Sequence, residues 1–359
     1  MTPVFQWNEL PEWFRMRTGT IVPSVHIKSN TSDINTCEGD DRTMTVDPPS
    51  PLELESRCER GDAEALYLLG RRYFEGNGVP QNLAKAAELT KAAADMGLAE
   101  AEYTYGYFCC YGIGVPTDKV RSIKWYRRAA DKGYVEAQYG LGYMCDTGEG
   151  IPVNKMEAAK WYLLAADKGH PGAQCNLGNL YFNGWGVRLD KAEAARLFEM
   201  SAEQGNPDAI FNLAHMYETG NGVPKDDKKA LTLYTKASEI GNPTALYSLG
   251  MRYLEGNGVR QDYPLAAKML AAAADRGNTD AQFSLGYMYF YGKGVEQDSF
   301  KAYHLFNESA RGWNRRAIYF MGMMYLSGEG VHCDERRGIG LLKLAAELGD
   351  EDAIKVLEG

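Results

Sequence analysis

Apolar and small residues return along this chain at the spacing of a helix, break off, and return again. In the segment after residue 60, Ala65, Leu69, Arg72 or its apolar counterparts, and Tyr73 lie three or four positions apart and make one stripe. They predict a first helix (A) over about 62–75. A second run places small residues at 86 and 93 and a large apolar one at 89, and it predicts a second helix (B) over about 82–95.

The same columns then repeat. The pair Gly76 and Gly78 recurs every 36 residues, at 112/114, 148/150, 184/186, 220/222, 256/258, 292/294 and 328/330, with no insertion. A β-branched residue follows each second glycine, and a leading alanine recurs from Ala65 to Ala317 and again at Ala353. Position 70 is glycine in seven of the eight copies and Ala214 in the other, which predicts a close crossing between paired helices.

Position 82 is always Asn or Asp, the side chains that accept from the open amides of a helix start. Asn154 with Glu157, and Asp190 with Glu193, approach the reciprocal capping box. Gly97 and its equivalents end helix B in the left-handed conformation. Trp313 takes that place once, with Gly312 one residue early, and a different turn is expected there. Asn206-Pro207 and Asn242-Pro243 read as a cap followed by proline in the first turn.

Eight helix pairs of this kind bury their apolar faces only by stacking, so the fold class is all-α, a solenoid of eight 36-residue helix-turn-helix repeats. The domain plan is an N-terminal extension over 1–50, a capping helix over 51–60, repeats over 61–348 and a polar closing helix over 349–359. The extension holds an aromatic cluster, Phe5, Trp7, Leu10, Trp13 and Phe14, suited to docking on the solenoid or on a partner. From Gly19 to Ser50 the composition is that of a disordered or loosely attached segment. Pro48-Pro49-Ser50-Pro51 reads mainly as a linker stop before a helix, and less as a phosphosite or polyproline ligand.

Composition narrows the function. At 45% hydrophobic and 24% charged residues, the chain resembles an ordinary globular protein. A net charge of −9 argues against a general nucleic-acid or anionic-membrane binder, and no apolar run reaches bilayer length. The first ten residues carry no basic leader followed by an apolar stretch, and the expected location is cytoplasmic. Seven cysteines without a C-x-x-C pattern predict reduced thiols and no bound metal. The G-x-G motifs lack the context of a phosphate loop, and eight copies speak for turn geometry. Five scattered histidines, His332-Cys333 included, make no ligand set, and no catalytic triad or carboxylate pair stands out. The expectation is no enzyme and no cofactor.

The columns A-x-x-x-L-G-x-x-Y-x-x-G-x-G-V, then Asp, Ala, Ala-Ala and Gly, resemble the Sel1-like repeat, a relative of the tetratricopeptide repeat. Leu141-Gly142 through Gly148-Glu149-Gly150-Ile151 to Ala165-Ala166-Asp167-Lys168-Gly169 is the nearest instance, and the resemblance covers about residues 61–359. It implies a right-handed superhelix serving as an adaptor or scaffold, with no shared active site. Some members are secreted and carry a disulfide within each repeat. Here Cys109 and Cys145 hold equivalent places in successive repeats, which departs from that pattern.

The partners expected are therefore proteins or peptides, held on the concave helix-A face. A helical wheel puts positions 64, 71 and 75 off the buried stripe, with 74 beside them. Columns 71 and 74 vary where the architectural columns do not. The candidate docking residues are Arg71, Phe74, Tyr107, Tyr143, Asp146, Asn179, Phe182, His215, Glu218, Met251, Tyr287, Phe290 and Met323. The competing reading is that these side chains fill crevices between helices. A regulatory subunit of an enzyme complex is the second functional class, and a hydrolase, which would need a catalytic cluster, the third.

Overall fold

The structure is a computed structural model that describes residues 49–358. Cys37, the Phe5–Phe14 cluster and most of the Gly19–Ser50 stretch lie outside the described residues. Among the described residues there are eighteen helices and no strand. They form two compact units that meet in sequence at Asp226 and Asp227.

The first unit holds α1 (Pro51–Glu59), α2 (Ala63–Glu75), α3 (Leu83–Asp95), α4 (Ala99–Tyr111), α5 (Lys119–Asp131), α6 (Val135–Thr147), α7 (Lys155–Ala166), α8 (Pro171–Asn183), α9 (Lys191–Glu203) and α10 (Pro207–Thr219). The second holds α11 (Asp227–Glu239), α12 (Pro243–Glu255), α13 (Tyr263–Ala274), α14 (Thr279–Tyr291), α15 (Ser299–Arg311), α16 (Arg315–Ser327), α17 (Glu335–Glu347) and α18 (Glu351–Glu358). Within each unit, every helix packs on the next one in sequence.

Most helices start where a side chain closes their open amides; α4 and α6, which follow Leu98 and Tyr134, have no side-chain cap. Asn82, Asp118, Asn154, Asp190, Asp262, Asp298 and Asp334 share an extended φ near −148° and accept from the amide three residues on. The capping box is only half made, which corrects the sequence reading. The amides of Glu157 and Glu193 donate back to the caps at 3.1 and 3.0 Å, but their carboxylates bind Arg127 and Arg196 instead. A charged donor outcompetes the amide for the carboxylate. Asn206 and Asn242 cap helices that begin with proline, as expected, and His170 does the same for α8 through Nδ1.

Ser50 caps α1, with Pro51 at its first position, and the Pro49 carbonyl accepts from Arg72 at 2.7 Å. The segment thus marks a helix start. Leu54 is fully buried against Ala65, Leu69 and Leu89.

The core is built from small residues meeting large ones. Every leading alanine from Ala65 to Ala353 is fully buried. The glycine column meets the residue twenty positions on, which is Thr90 opposite Gly70 and a ring or leucine opposite the other glycines. A methyl at Gly106, Gly142, Gly178 or Gly286 would lie 2.6–2.8 Å from the ring of Tyr126, Tyr162, Phe198 or Phe306. These partners are buried to within 5%. The expected close crossing is therefore present, and its far side, column 90, is a second core stripe that the sequence reading did not single out.

Two expectations about the stripe need correction. Tyr73, Tyr181, Tyr217, Tyr253 and Tyr289 are only half-buried, although Cys109 and Cys145 in the same column are fully buried. A tyrosine ring packs while its hydroxyl reaches water. Arg72 is likewise half-buried, its guanidinium tied to the Pro49 carbonyl, where Phe108, Met144 and Leu180 are core.

The turn at residue 313 also differs from expectation. Trp313 takes φ +66°, and its amide bonds the Ala310 carbonyl at 2.9 Å as Gly97 bonds Ala94. The ordinary turn is kept, at a cost of about 1–2 kcal/mol for a left-handed residue with a Cβ. Gly312 cannot exchange places with it, because a methyl there would run into Thr279.

Candidate functional site

The helix-A surface is half-buried rather than fully exposed or fully packed. Tyr107, Tyr143, Asn179, Met251, Tyr287 and Met323 are all of intermediate exposure, while Arg71 and His215 are exposed. Cys110, in column 74, is buried and unavailable to a partner. Helical geometry accounts for this, since these columns flank the stripe that meets helix B.

Several candidates are held by neighbours on their own helix. Arg71 pairs with Glu75 at 3.2 Å and His215 approaches Glu218 at 3.7 Å. Tyr107 packs on Tyr111, and Tyr287 on Tyr291, each with centroids 4.5 Å apart. Burial pushes the Tyr111 hydroxyl up to about 12, so it stays a hydrogen-bond donor. Asp146 accepts from Lys155 Nζ at 2.6 Å, and Phe74 packs on Phe108 at 5.4 Å.

Two grooves gather most of the remainder, though Tyr143 and Met251 line neither. In the first unit, Asn179, Phe182 and His215 line a space of about 180 Å³ with Asn183, Phe198, Asn212 and Met216. Asn212 Nδ2 donates to Asn179 Oδ1 at 3.1 Å, and Lys191 lies over the Phe182 ring at 5.3 Å. In the second unit, Tyr287, Phe290 and Met323 line a groove of about 390 Å³ together with Tyr291, Tyr319 and Phe320. Arg316, Ser327, Glu329 and Asp352 give this groove its polar border. Arg316 bonds Asp352 at 2.6 Å, and its guanidinium lies 5.3 Å from the Tyr319 centroid.

The sequence reading missed Asn212, Tyr319 and Phe320. Their signal was available: columns 67 and 68 stand three or four residues before column 71, on the same side of the helix. It also overlooked helix B. There Met156, Leu163 and Leu164 are 45–60% exposed, beside a groove of about 360 Å³ that includes Trp161.

Among the described residues, no group of three or more His, Cys, Asp or Glu is placed to hold a metal ion. His332 Nδ1 lies 2.9 Å from the Cys333 carbonyl, and Cys333 Sγ points to the Leu326 carbonyl, where Gln81 and Gln261 make the equivalent bond. No described helix is long and apolar enough to cross a membrane.

Comparison with known proteins follows the same register. The Sel1 repeat profile matches eight times in succession, over 63–98, 99–134, 135–170, 171–206, 207–242, 243–278, 279–312 and 315–350. The seventh match stops at Gly312, just before Trp313. Similar solved structures include the following two. One is c5321, a protective antigen of uropathogenic Escherichia coli strains displaying an SLR fold, with 35% identity and a TM-score of 0.68 over 85% of this chain. The chain spans 65% of that antigen's length. The other is a Sel1 repeat protein from Oxalobacter formigenes, with 30% identity, a TM-score of 0.61, and coverage of 90% of this chain and 97% of that one. No match was found among curated proteins.

Proposed function

The chain belongs to the Sel1 repeat family, and from that membership we propose that it is a non-catalytic scaffold that captures partner proteins on its helix-A face. The observation that carries this reading is the contrast between columns. Leading alanines and crossing glycines are kept because packing dictates them, whereas column 71 runs Arg71, Tyr107, Tyr143, Asn179, His215, Met251, Tyr287 and Met323. Half-buried aromatic and methionine side chains are preorganised on one side and open on the other, the condition of an interface anchor. The grooves at Asn179 and Tyr287 supply concave places for a partner's side chains.

The test pairs capture with folding. Partners are identified by affinity purification of the intact chain with mass spectrometry, and binding is then measured for Tyr107→Ala, Tyr143→Ala and Tyr287→Ala. Each hot-spot truncation is expected to cost about 2 kcal/mol, or roughly 30-fold in affinity, with little change in melting. Lost melting with capture otherwise intact would make the tyrosines core residues and defeat the reading.

A further inference from the structure

One junction of the first unit carries a pair of side-chain amides on its helix-A face. In the register of the repeats, column 71 is followed 33 positions on by column 68 of the next copy. The successive pairs are Tyr107 with Gly140, Tyr143 with Asn176, and Asn179 with Asn212. Folding therefore does not dictate the last pair. Asn212 Nδ2 donates to Asn179 Oδ1 at 3.1 Å and reaches Cys175 Sγ at 4.0 Å. With that nitrogen engaged, Asn212 Oδ1 is left to accept and Asn179 Nδ2 to donate, and neither has a partner among the described residues. Asn183, one turn further along α8, donates to the Asn179 carbonyl at 2.8 Å and keeps its own Oδ1 open. Phe182 and the buried Phe198 and Met216 line the same space. At about 180 Å³ it is smaller than the roughly 300 Å³ at which ligand clefts begin, and suits one side chain.

We infer that this junction holds an extended segment of a partner protein by its main chain, an inference that rests on the helix-A face being the protein-binding face. A peptide carbonyl accepts from Asn179 Nδ2, and peptide N–H groups donate to Asn212 Oδ1 and Asn183 Oδ1. One apolar side chain of the segment enters the space beside Phe182. Spacing favours main chain over a partner's own side-chain amide. Asn179 and Asn183 stand four helical residues apart, a rise of about 6 Å. Alternate residues of an extended chain, whose peptide groups point the same way, repeat at about 6.6–6.8 Å. A lone Asn or Gln side chain offers one amide and no such repeat.

The probe is a displayed library of random peptides, enriched on the full chain and counter-selected on a chain carrying Asn179→Leu and Asn212→Leu. Replacing both ends of one hydrogen bond by apolar groups of similar shape is close to neutral for folding, which melting checks. The enriched peptide is expected to bind the wild type at least about tenfold more tightly than the double variant, read by anisotropy. Its backbone amides are then changed to esters one at a time, which removes an N–H without adding bulk. Wild-type binding is expected to weaken about tenfold at one or two positions, with no further loss on the double variant. Asn179→Asp keeps the acceptor for Asn212 Nδ2 but turns the outward donor into an acceptor. It is expected to preserve melting and lose peptide binding, so the inference is tested even where the double variant folds poorly. No peptide that separates the chains, esters tolerated at every position, or full binding to Asn179→Asp would overturn it. Dependence on an Asn or Gln of the peptide, with every ester tolerated, would also overturn it and assign a side-chain amide instead. Peptides that bind the double variant equally but lose affinity for Tyr107→Ala or Tyr143→Ala would sink this inference and leave the scaffold reading standing.

Discussion

Two glycines on α6, two residues apart, separate the effect of a close crossing from that of helix propensity. Gly142 lies against Tyr162, and a methyl added there would sit 2.6 Å from Cδ1 and 2.8 Å from Cε1. Ordinary carbon contacts are about 3.5–4.0 Å, so the overlap is about 1 Å. The ring cannot simply swing away. Tyr162 is fully buried and its hydroxyl is held by Asn176 at 3.2 Å and Asp146 at 3.5 Å. Overpacking of this kind costs about 1–3 kcal/mol, offset by about 1 kcal/mol gained when alanine replaces glycine in a helix. Gly142→Ala is therefore expected to destabilise by up to about 2 kcal/mol. Gly140 meets nothing closer than Tyr126 Cε2 at 3.4 Å, an ordinary contact. Gly140→Ala is expected to stabilise by up to about 1 kcal/mol. The assay is urea unfolding followed by circular dichroism, with native-state hydrogen exchange on α6 and α7 to read the affected repeat locally. A Gly142→Ala chain as stable as Gly140→Ala would refute the crossing argument.

Three further outcomes follow from local geometry. Burial, against a ring stacked on Tyr139 at 4.3 Å, holds the folded His170 imidazole below its ordinary range, and its Nδ1 accepts the Ala173 amide. Unfolding therefore takes up a proton, so this stability is fully present above about pH 6.5 and is lost as pH falls through the folded value. His170→Asn keeps a cap acceptor and is expected to flatten the pH dependence of melting below about pH 6.5; an unchanged slope would contradict it. At the left-handed Trp313, replacement by glycine is expected to leave melting equal or higher and replacement by valine to lower it, read by thermal scans, because a β-branched side chain tolerates φ +66° least. Exposed Cys333 should be modified first by a thiol reagent at pH 8, before buried Cys145 and Cys175, whose thiols burial pushes up to about 11 and about 12. On denaturation without reductant, seven thiols are expected to react, one for each cysteine of the sequence.

The helices, caps and turns were legible in the sequence because each is set by a short-range rule repeated eight times. Asp or Asn at position 82 and glycine after helix B act within one turn of chain, and repetition removes accident. What depended on contact across helices was harder to see. The ring column of Tyr126, Tyr162, Phe198 and Phe306 begins with Thr90 and includes Leu270, so its shared role shows only against the glycine it meets. Glu102 gives no sign in sequence that it is fully buried, with Arg128 and Lys132 at 2.8 and 2.9 Å though poorly aligned for hydrogen bonds. The helical wheel put columns 71 and 74 beside the buried stripe of helix A. Their half-burial, and their union with Asn212, Tyr319 and Phe320 in grooves, required coordinates.

In four of the eight loops the second glycine, Gly114, Gly186, Gly222 or Gly330, rests chiefly on main chain. A methyl at Gly186, Gly222 or Gly330 would run into the backbone at Lys155, Lys191 or Ser299, where the preceding repeat's helix B begins. At these joints the loop reads little sequence beyond its own glycine. Gene duplication or loss of 36 residues would keep the turns in register, whereas gaining or losing fewer residues within a helix would shift them out of step. The length of the array is thus free to drift by whole modules, and an inserted module brings its own column 71 residue with it. The residues of that column can therefore change by splicing in complete copies, without redesigning those four joints.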